Sequence, residues 1–203
     1  MALAPKETIM KGIKGMAVAA LIGVGFPVMA VDSYKIDTAH STVRFSVKHM
    51  VLSNTHGNFG AYTGDIKWDK DLKLCALAGT VKVDSIDTRD IKRDEHLKSA
   101  DFFDSGKYPD ITLVSKSIKK GRKGYVLTAD LTMRGVTKTV TLPLEVSDPV
   151  KDPWGNQRVN FATQFKLNRQ DYGTSWNKAL DNGGLVVGND VSVDLDIEAV
   201  KTN

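Results

Sequence analysis

The side chains best suited to acid–base chemistry or metal binding are scattered along this chain. The four histidines are His40, His49, His56 and His96, and none belongs to an HExxH pattern or lies near a pair of cysteines, the usual signatures of a zinc site. The sequence also contains no nucleophile elbow, no glycine-rich phosphate loop and no evident pair of catalytic carboxylates. We therefore expect no catalytic residue, no bound metal ion and no cofactor.

A polar stretch, Asp84–Leu113, interrupts a chain that otherwise alternates between apolar and polar residues. Within it, Arg89–Ser99 contains no glycine or proline and only one β-branched residue, which predicts a helix of about three turns. Asp87 or Thr88 can cap this helix by accepting a free backbone N–H of its first turn. Because so few of its residues are apolar, we expect the helix to lie on the outside of the fold.

Two aromatic residues, Phe102 and Phe103, follow this helix, which suggests a lid or plug over one end of a β-structure. Arg93 of the helix either holds the polar head group of a ligand at that end or, together with Asp94, fixes the helix to neighbouring strands. His49 lies at inward parity near the end of a strand and either reaches the same head group or bonds to a backbone carbonyl. The residue types alone leave these alternatives open.

Outside that stretch the sequence has the period-two alternation of half-buried strands. One apolar face per strand indicates an antiparallel sheet, because parallel strands buried on both faces are apolar throughout. Eight strands are enough to close a barrel around one ligand, although a two-sheet sandwich would have the same pattern. Glycines predict turns at His56–Asn58 and Arg134–Gly135. The expected strands are Val43–His49, Asn58–Trp68, Leu74–Ile86, Ile111–Ile118, Tyr125–Met133, Val136–Val146, Val159–Leu167 and Val191–Ala199.

The first thirty residues have the features of a signal peptide. Lys6, Lys11 and Lys14 precede an uncharged apolar run, Gly15–Phe26, that is too short to span a bilayer comfortably. Small or tolerated residues then lead up to Ala30. We expect Met1–Ala30 to be cleaved after export to a bacterial periplasm.

The remaining segment, Val31–Asn203, is expected to form one domain, long enough to bury a core without disulfide bonds. Loss of three lysines and one glutamate with the signal peptide lowers the net charge from +4 to +2. No stripe of basic residues with interleaved aromatics is present, so we expect no nucleic-acid partner. Cys75 is the only cysteine. We expect it to be a buried apolar residue, and the alternative is a reactive free thiol.

The inward faces of the expected strands carry almost no charge. By themselves they favour a packed core, because protein interiors normally close-pack. An internal cavity for an apolar ligand is the alternative. A catalytic site would need polar groups that converge inside the fold, and almost none have inward parity.

Four separated segments, in order along the chain, carry a resemblance to a known family. They read YKIDTAHSTVRFSVKHM from Tyr34, SIDTRDIKRDEHLKSADFFDSGKYPDIT from Ser85, ADLTMRGVTKTVTLPLEV from Ala129 and NRQDYGTSW from Asn168. From about Tyr34 to its C-terminus the chain resembles the YceI-like family of bacterial periplasmic proteins. This resemblance implies an eight-stranded antiparallel lipocalin-like β-barrel with a short helical insertion, whose interior binds a polyisoprenoid or an isoprenoid quinone.

The resemblance favours a cavity over a packed core and a non-enzymatic binding or carrier protein over an enzyme. The alternative is a stress-response factor or an enzyme that acts on a smaller amphiphilic substrate. A homodimer and a partner protein of the inner membrane are further expectations of the resemblance. The residues expected to contact the ligand are Phe45, Val47, His49, Phe59, Leu77, Val81, Arg93, Phe102, Phe103, Leu113, Leu131, Met133, Leu142, Phe161, Phe165, Tyr172 and Trp176.

Overall fold

A computed structural model describes residues 31–69, 72, 75–181 and 183–202. The expected signal peptide lies outside the described residues. Within them are twelve strands and one α-helix. Their bounds are β1 Asp32–Ile36, β2 Thr42–His49, β3 Ser53–Phe59, β4 Tyr62–Trp68, β5 Ala76–Lys82, β6 Ile86–Asp87, α1 Ile91–Lys98, β7 Asp110–Lys120, β8 Tyr125–Met133, β9 Val136–Val146, β10 Val150–Lys151, β11 Gln157–Asn168 and β12 Val187–Lys201.

The strands form a closed eight-stranded antiparallel barrel, as expected. Three of the eight strand positions around the barrel are each filled by two consecutive strands. These pairs are β1 with β2, β3 with β4, and β5 with β6. β12 is long enough to pair with β11 along one edge and with both β1 and β2 along the other. β9 pairs with β11 at Val146–Phe161, which closes the ring.

One end of the barrel, called the lower end here, is filled by side chains. Trp68 packs edge-on against Tyr125 and Phe161, with ring centroids 5.1 and 5.4 Å apart. Buried apolar residues surround these rings and form what we call the lower cluster. Its buried members are Tyr34, Ile66, Leu77, Ile118, Leu127, Ala129, Leu142, Leu144, Val159, Phe161 and Ala199.

The opposite, upper end is covered by residues 90–108, called the lid here. The lid contains α1 and the predicted aromatic pair, and it sits where β8 turns into β9 at Arg134–Gly135. Arg134 has a φ of 50° and Gly135 a φ of 74°, as the predicted tight hairpin requires. The Arg134 guanidinium donates to the carbonyls of Ala100 in the lid and Gly173 in the β11–β12 loop. The hairpin thereby holds the lid against that loop.

The expected helix is present but begins later than predicted. Its N-cap is Asp90, whose carboxylate accepts from the Arg93 N–H at 3.0 Å, and α1 spans Ile91–Lys98. Asp87 and Thr88 cannot cap it, because the Arg89 N–H donates to Asp87 and Arg89 adopts a φ of 63°. This turn separates β6 from the helix.

The turn expected at His56–Asn58 is wrong. β3 runs straight through these residues, and the chain reverses earlier, at Met50 and Val51, which have φ values of 51° and 63°. Gly57 does not turn the chain but leaves room for the ring of Phe45. A Cβ at this position would lie 2.4 Å from the Phe45 ring, so glycine is required where that ring crosses the strand. Among the described residues, no helix is both long and apolar enough to cross a membrane.

Candidate ligand-binding cavity

The upper part of the barrel contains an apolar cavity of about 250 Å³. Close-packed interiors leave few voids larger than one water molecule, so this space is not a packing defect. Its floor is formed by Leu127, Leu144 and Phe161 of the lower cluster. The inward faces therefore form a continuous packed core only below this floor, and above it they surround the cavity.

The cavity extends along β11. On β11 the residues that line it run from Phe161 through Phe165 to Arg169, at every second position. At about 3.3 Å per residue, this corresponds to roughly 26 Å along the chain. Such a shape suits an extended chain better than a compact molecule.

Twelve of the predicted ligand-contacting residues line this cavity. Phe103 of the lid also packs edge-on against Phe59, with centroids 6.1 Å apart, so the lid reaches the wall of the barrel. The twelve are Phe45, Val47, Phe59, Leu77, Val81, Phe102, Phe103, Leu113, Leu131, Met133, Phe161 and Phe165.

Arg93 and His49 do not line the cavity. Arg93 donates from Nε to the Thr88 hydroxyl and from one terminal nitrogen to the Thr88 carbonyl, both at 2.7 Å. It therefore fixes α1 to the segment before it, the second of the two roles considered for it, with Thr88 as its partner. Asp94 accepts from the same Thr88, at 2.9 Å from its backbone N–H. His49 is the last residue of β2 and pairs with Ser53 and Val187.

Leu142, Tyr172 and Trp176 also lie outside the lining. Leu142 is buried within the lower cluster. Tyr172 is 2% exposed and packs in a separate cluster with Leu131 and Met133. Trp176 contacts the lid through Phe102 and His96, with ring centroids 5.3 and 5.0 Å apart. These side chains support the cavity wall and the lid without reaching the space itself.

The prediction missed several lining residues from β12, although the signal was available in the alternation of that strand. The structure brings Val187, Val191, Val193, Leu195 and Ile197 to the cavity. The acidic residues between them lie on the opposite face and pair with neighbouring strands. Asp194 bonds to Arg44 at 3.1 Å, and Asp196 accepts from Asn160 at 2.6 Å.

Arg169 lines the upper end of the cavity, although it was not among the residues expected to contact the ligand. It follows β11 in a 3₁₀ turn, Arg169–Tyr172, and is only 5% exposed. Its guanidinium donates to the carbonyls of Thr174 at 2.7 Å, Gly188 at 2.9 Å and Val187 at 3.5 Å. The guanidinium carbon lies 6.0 Å from the centre of the Phe102 ring. These contacts hold a positive charge at the upper end of the cavity.

No carboxylate in the described chain forms an ion pair with Arg169. Burial lowers the pKa of its guanidinium from the ordinary value, because a charged group loses solvation in the protein interior. The described lining contains no Asp, Glu, His, Ser or Cys.

At the lower rim, Asp37, His40 and Glu198 come close enough to one another to suggest a metal site. Arg158 already lies among these groups, however, with one guanidinium nitrogen 2.6 Å from Asp37 and 2.5 Å from Glu198. The Arg158 hydrogen bond, followed by that of His40, lowers the pKa of Asp37 to about 2. Because a guanidinium already neutralises the carboxylates, this cluster stabilises the rim rather than forming a cation site.

Comparison with known proteins agrees with this geometry. A family model described as the YceI-like domain matches residues 34–199. The chain belongs to the YceI-like family. Protein YceI of Escherichia coli is 36% identical over 165 residues, which cover 80% of this chain and 86% of that protein.

Two solved structures share the fold. Burkholderia cenocepacia BcnA matches with a TM-score of 0.70 and 24% identity, over 80% of this chain and 98% of that one. A polyisoprenoid binding domain from Saccharophagus degradans matches with a TM-score of 0.59 and 15% identity, over 85% of this chain and 100% of that one. At these identities the two structures support the barrel fold.

Proposed function

We propose that this protein is a non-enzymatic carrier that holds a long-chain isoprenoid lipid or isoprenoid quinone inside the upper half of its barrel. The observation that carries this proposal is the elongated apolar cavity between the lid and the floor at Phe161. Burial of hydrocarbon contributes about 0.8 kcal/mol per CH₂ group. A chain lying along this space would bind firmly even after the cost of ordering it.

Two further observations support a binding role. The described lining lacks the carboxylate, imidazole and thiol groups that often perform acid–base or nucleophilic catalysis. Its hydroxyl groups are those of Tyr62, Thr63, Thr80, Thr163 and Thr174. A domain that shares this fold is known as a polyisoprenoid binding domain. We extend that ligand class to the present chain because its cavity is apolar and elongated.

The same proposal includes export to the periplasm with cleavage after Ala30, since Lys6, Lys11, Lys14 and the apolar run that follows have the features of a signal peptide. Expression of the full-length gene in a Gram-negative bacterium, followed by fractionation and N-terminal sequencing, tests this part. We expect the periplasmic form to begin at Val31. An uncleaved protein that stays with the membrane would contradict it.

The carrier role is tested by purifying that protein without detergent and comparing its native and denatured masses. We expect the native mass to include one isoprenoid or quinone, identified after extraction with organic solvent. Protein that is free of lipid and also takes up no added isoprenoid would refute the carrier role.

A further inference from the structure

We propose that Arg169 and Thr174 form a binding site for an anionic head group, a phosphate or a carboxylate, at the upper end of the cavity. This inference rests on the proposed carrier function and specifies the ligand more closely. Among the ligands proposed above, it favours an isoprenoid with an anionic head group over a neutral quinone or alcohol.

The first observation is the lack of compensation for the buried charge of Arg169. The guanidinium has five N–H donors, and three backbone carbonyls account for its hydrogen bonds to the protein. An isolated charge in an apolar interior is costly unless it is paired. Since no carboxylate in the described chain pairs with this group, an anion from outside would supply the missing charge and use the remaining donors.

The second observation is the hydroxyl group of Thr174. This residue is 3% exposed, and its Oγ1 atom has no hydrogen-bond partner among the described residues. Its own carbonyl accepts from Arg169, and both residues line the cavity. A buried hydroxyl without a partner costs roughly 1–3 kcal/mol. A ligand oxygen placed beside Arg169 would give this hydroxyl its missing partner.

Phe102 completes the site from the side of the lid. Its ring lies beside the Arg169 guanidinium and packs on its far side against Trp176 and His96. These rings exclude water from the charge, which strengthens its attraction for an anion. The apolar tail of the same ligand would then run downward past Phe165 towards Phe161.

Thr163 provides a matched control within the same cavity. It is 8% exposed and its Oγ1 atom also lacks a partner among the described residues. It lies six residues before Arg169 on β11, roughly 20 Å away along the strand. Its hydroxyl is therefore buried in the same way but far from the proposed head group.

The test uses protein freed of co-purified lipid and three probes with the same hydrocarbon chain: geranylgeranyl monophosphate, geranylgeranoic acid and geranylgeraniol. Calorimetric titration measures the affinity of each. We expect one or both anions to bind at least about tenfold more tightly than the alcohol, since hydrogen bonds to charged groups are the stronger ones. The stronger of the two anions identifies phosphate or carboxylate as the head group.

Variants then locate the effect. Arg169→Gln should weaken anion binding by about 10- to 100-fold and alcohol binding by less than about threefold. Thr174→Val should lower the ratio of anion affinity to alcohol affinity several-fold. Thr163→Val lies beside the tail that all three probes share, so it should change their affinities alike and leave that ratio unchanged. If Arg169→Gln does not fold, the two threonine variants still test the head-group site, because each removes only one unpartnered hydroxyl.

Three outcomes separate this inference from the carrier function. If the alcohol binds as tightly as both anions, the head-group site is refuted and the carrier function survives. Equal effects of Thr174→Val and Thr163→Val on the ratio of anion affinity to alcohol affinity would likewise refute it. If none of the three probes binds, the proposed function itself is refuted.

Discussion

The two ends of this barrel are built from the same alternating strands but are used differently. At the lower end, large rings such as Trp68 and Phe161 meet across the barrel and fill it. At the upper end, the inward side chains leave a space that the lid covers together with the start of the β11–β12 loop. Alternation specifies which side chains point inward, whereas their sizes and the lid determine whether they meet.

The difference also extends to charge. The positive charge of Arg158 at the lower rim is neutralised by Asp37, Asp152 and Glu198. Among the described residues, Arg169 at the upper end donates hydrogen bonds only to backbone carbonyls. The charge of Arg158 at the lower end is thus paired. The charge of Arg169 at the upper end has no carboxylate partner among the described residues, so an anionic ligand could pair with it.

The largest expected effect comes from removing the same side chain at each end. Leu142→Ala in the lower cluster should lower the free energy of unfolding by about 2–5 kcal/mol, because it leaves a cavity in a packed region. Leu195→Ala on the cavity wall should cost less, about 1–2 kcal/mol, because one side of Leu195 already lacks neighbours. Urea unfolding of the lipid-free variants measures both values. Equal losses would contradict the division into a packed end and a hollow end.

Adding the same volume should destabilise the lower end more than the upper end. Val159→Phe in the lower cluster should cost about 1–3 kcal/mol through overpacking. Val193→Phe adds the same volume beside the upper cavity and should change stability by less than about 1 kcal/mol, because the space can accept the ring. Thermal unfolding of the lipid-free proteins gives the comparison. A large loss for Val193→Phe would mean that the upper interior cannot accept a ring.

The lid should respond locally to loss of its cap. Asp90→Ala removes the carboxylate that accepts from the Arg93 N–H, which costs about 1 kcal/mol of helix stability. Hydrogen exchange should therefore accelerate in α1, while the amides of β8 keep their protection. Exchange that accelerates equally in both elements would show that the lid is not a separate unit.

The lower rim should give the smallest effect, and only at low pH. The pKa of Asp37 is about 2 in the folded protein, below the ordinary 3.8, so its contribution to stability is present above pH 4 and is lost as the pH falls towards 2. We expect this contribution to stay below about 1 kcal/mol, since the pair lies at the surface. Asp37→Asn should reduce the difference in unfolding temperature between pH 4.5 and pH 2. An unchanged difference would contradict this role for Asp37.

Local sequence predicted those parts of the fold that depend on neighbours along the chain. The alternation from Val191 to Ala199 and the hairpin at Arg134–Gly135 were confirmed. The turn at His56–Asn58 was wrong because Gly57 accommodates a ring from the adjacent strand, and a single sequence does not show that contact.

The site, too, was predicted where it depends on local pattern and missed where it depends on distant residues. The apolar lining was largely predicted because it needs only inward parity. Arg93 was given a candidate role at the head group because it lies in a polar helix, but its hydrogen bonds go to Thr88, five residues before it. Arg169 becomes buried through carbonyls up to nineteen residues further along the chain, at Val187 and Gly188. No local pattern indicates such long-range contacts.

If lipid occupies the hollow upper end, it should be present in the purified protein. The lipid content of that protein is therefore the most direct test. We would produce the wild-type protein, Val193→Phe and Val159→Phe in the same bacterium and purify them without detergent. Native mass spectrometry then measures the lipid bound to each. We expect one isoprenoid or quinone molecule in the wild-type protein and in the folded fraction of Val159→Phe, and at least tenfold less in Val193→Phe, since its added ring takes up the space. Equal lipid content in the two variants, or none in the wild-type protein before and after added isoprenoid, would contradict the account.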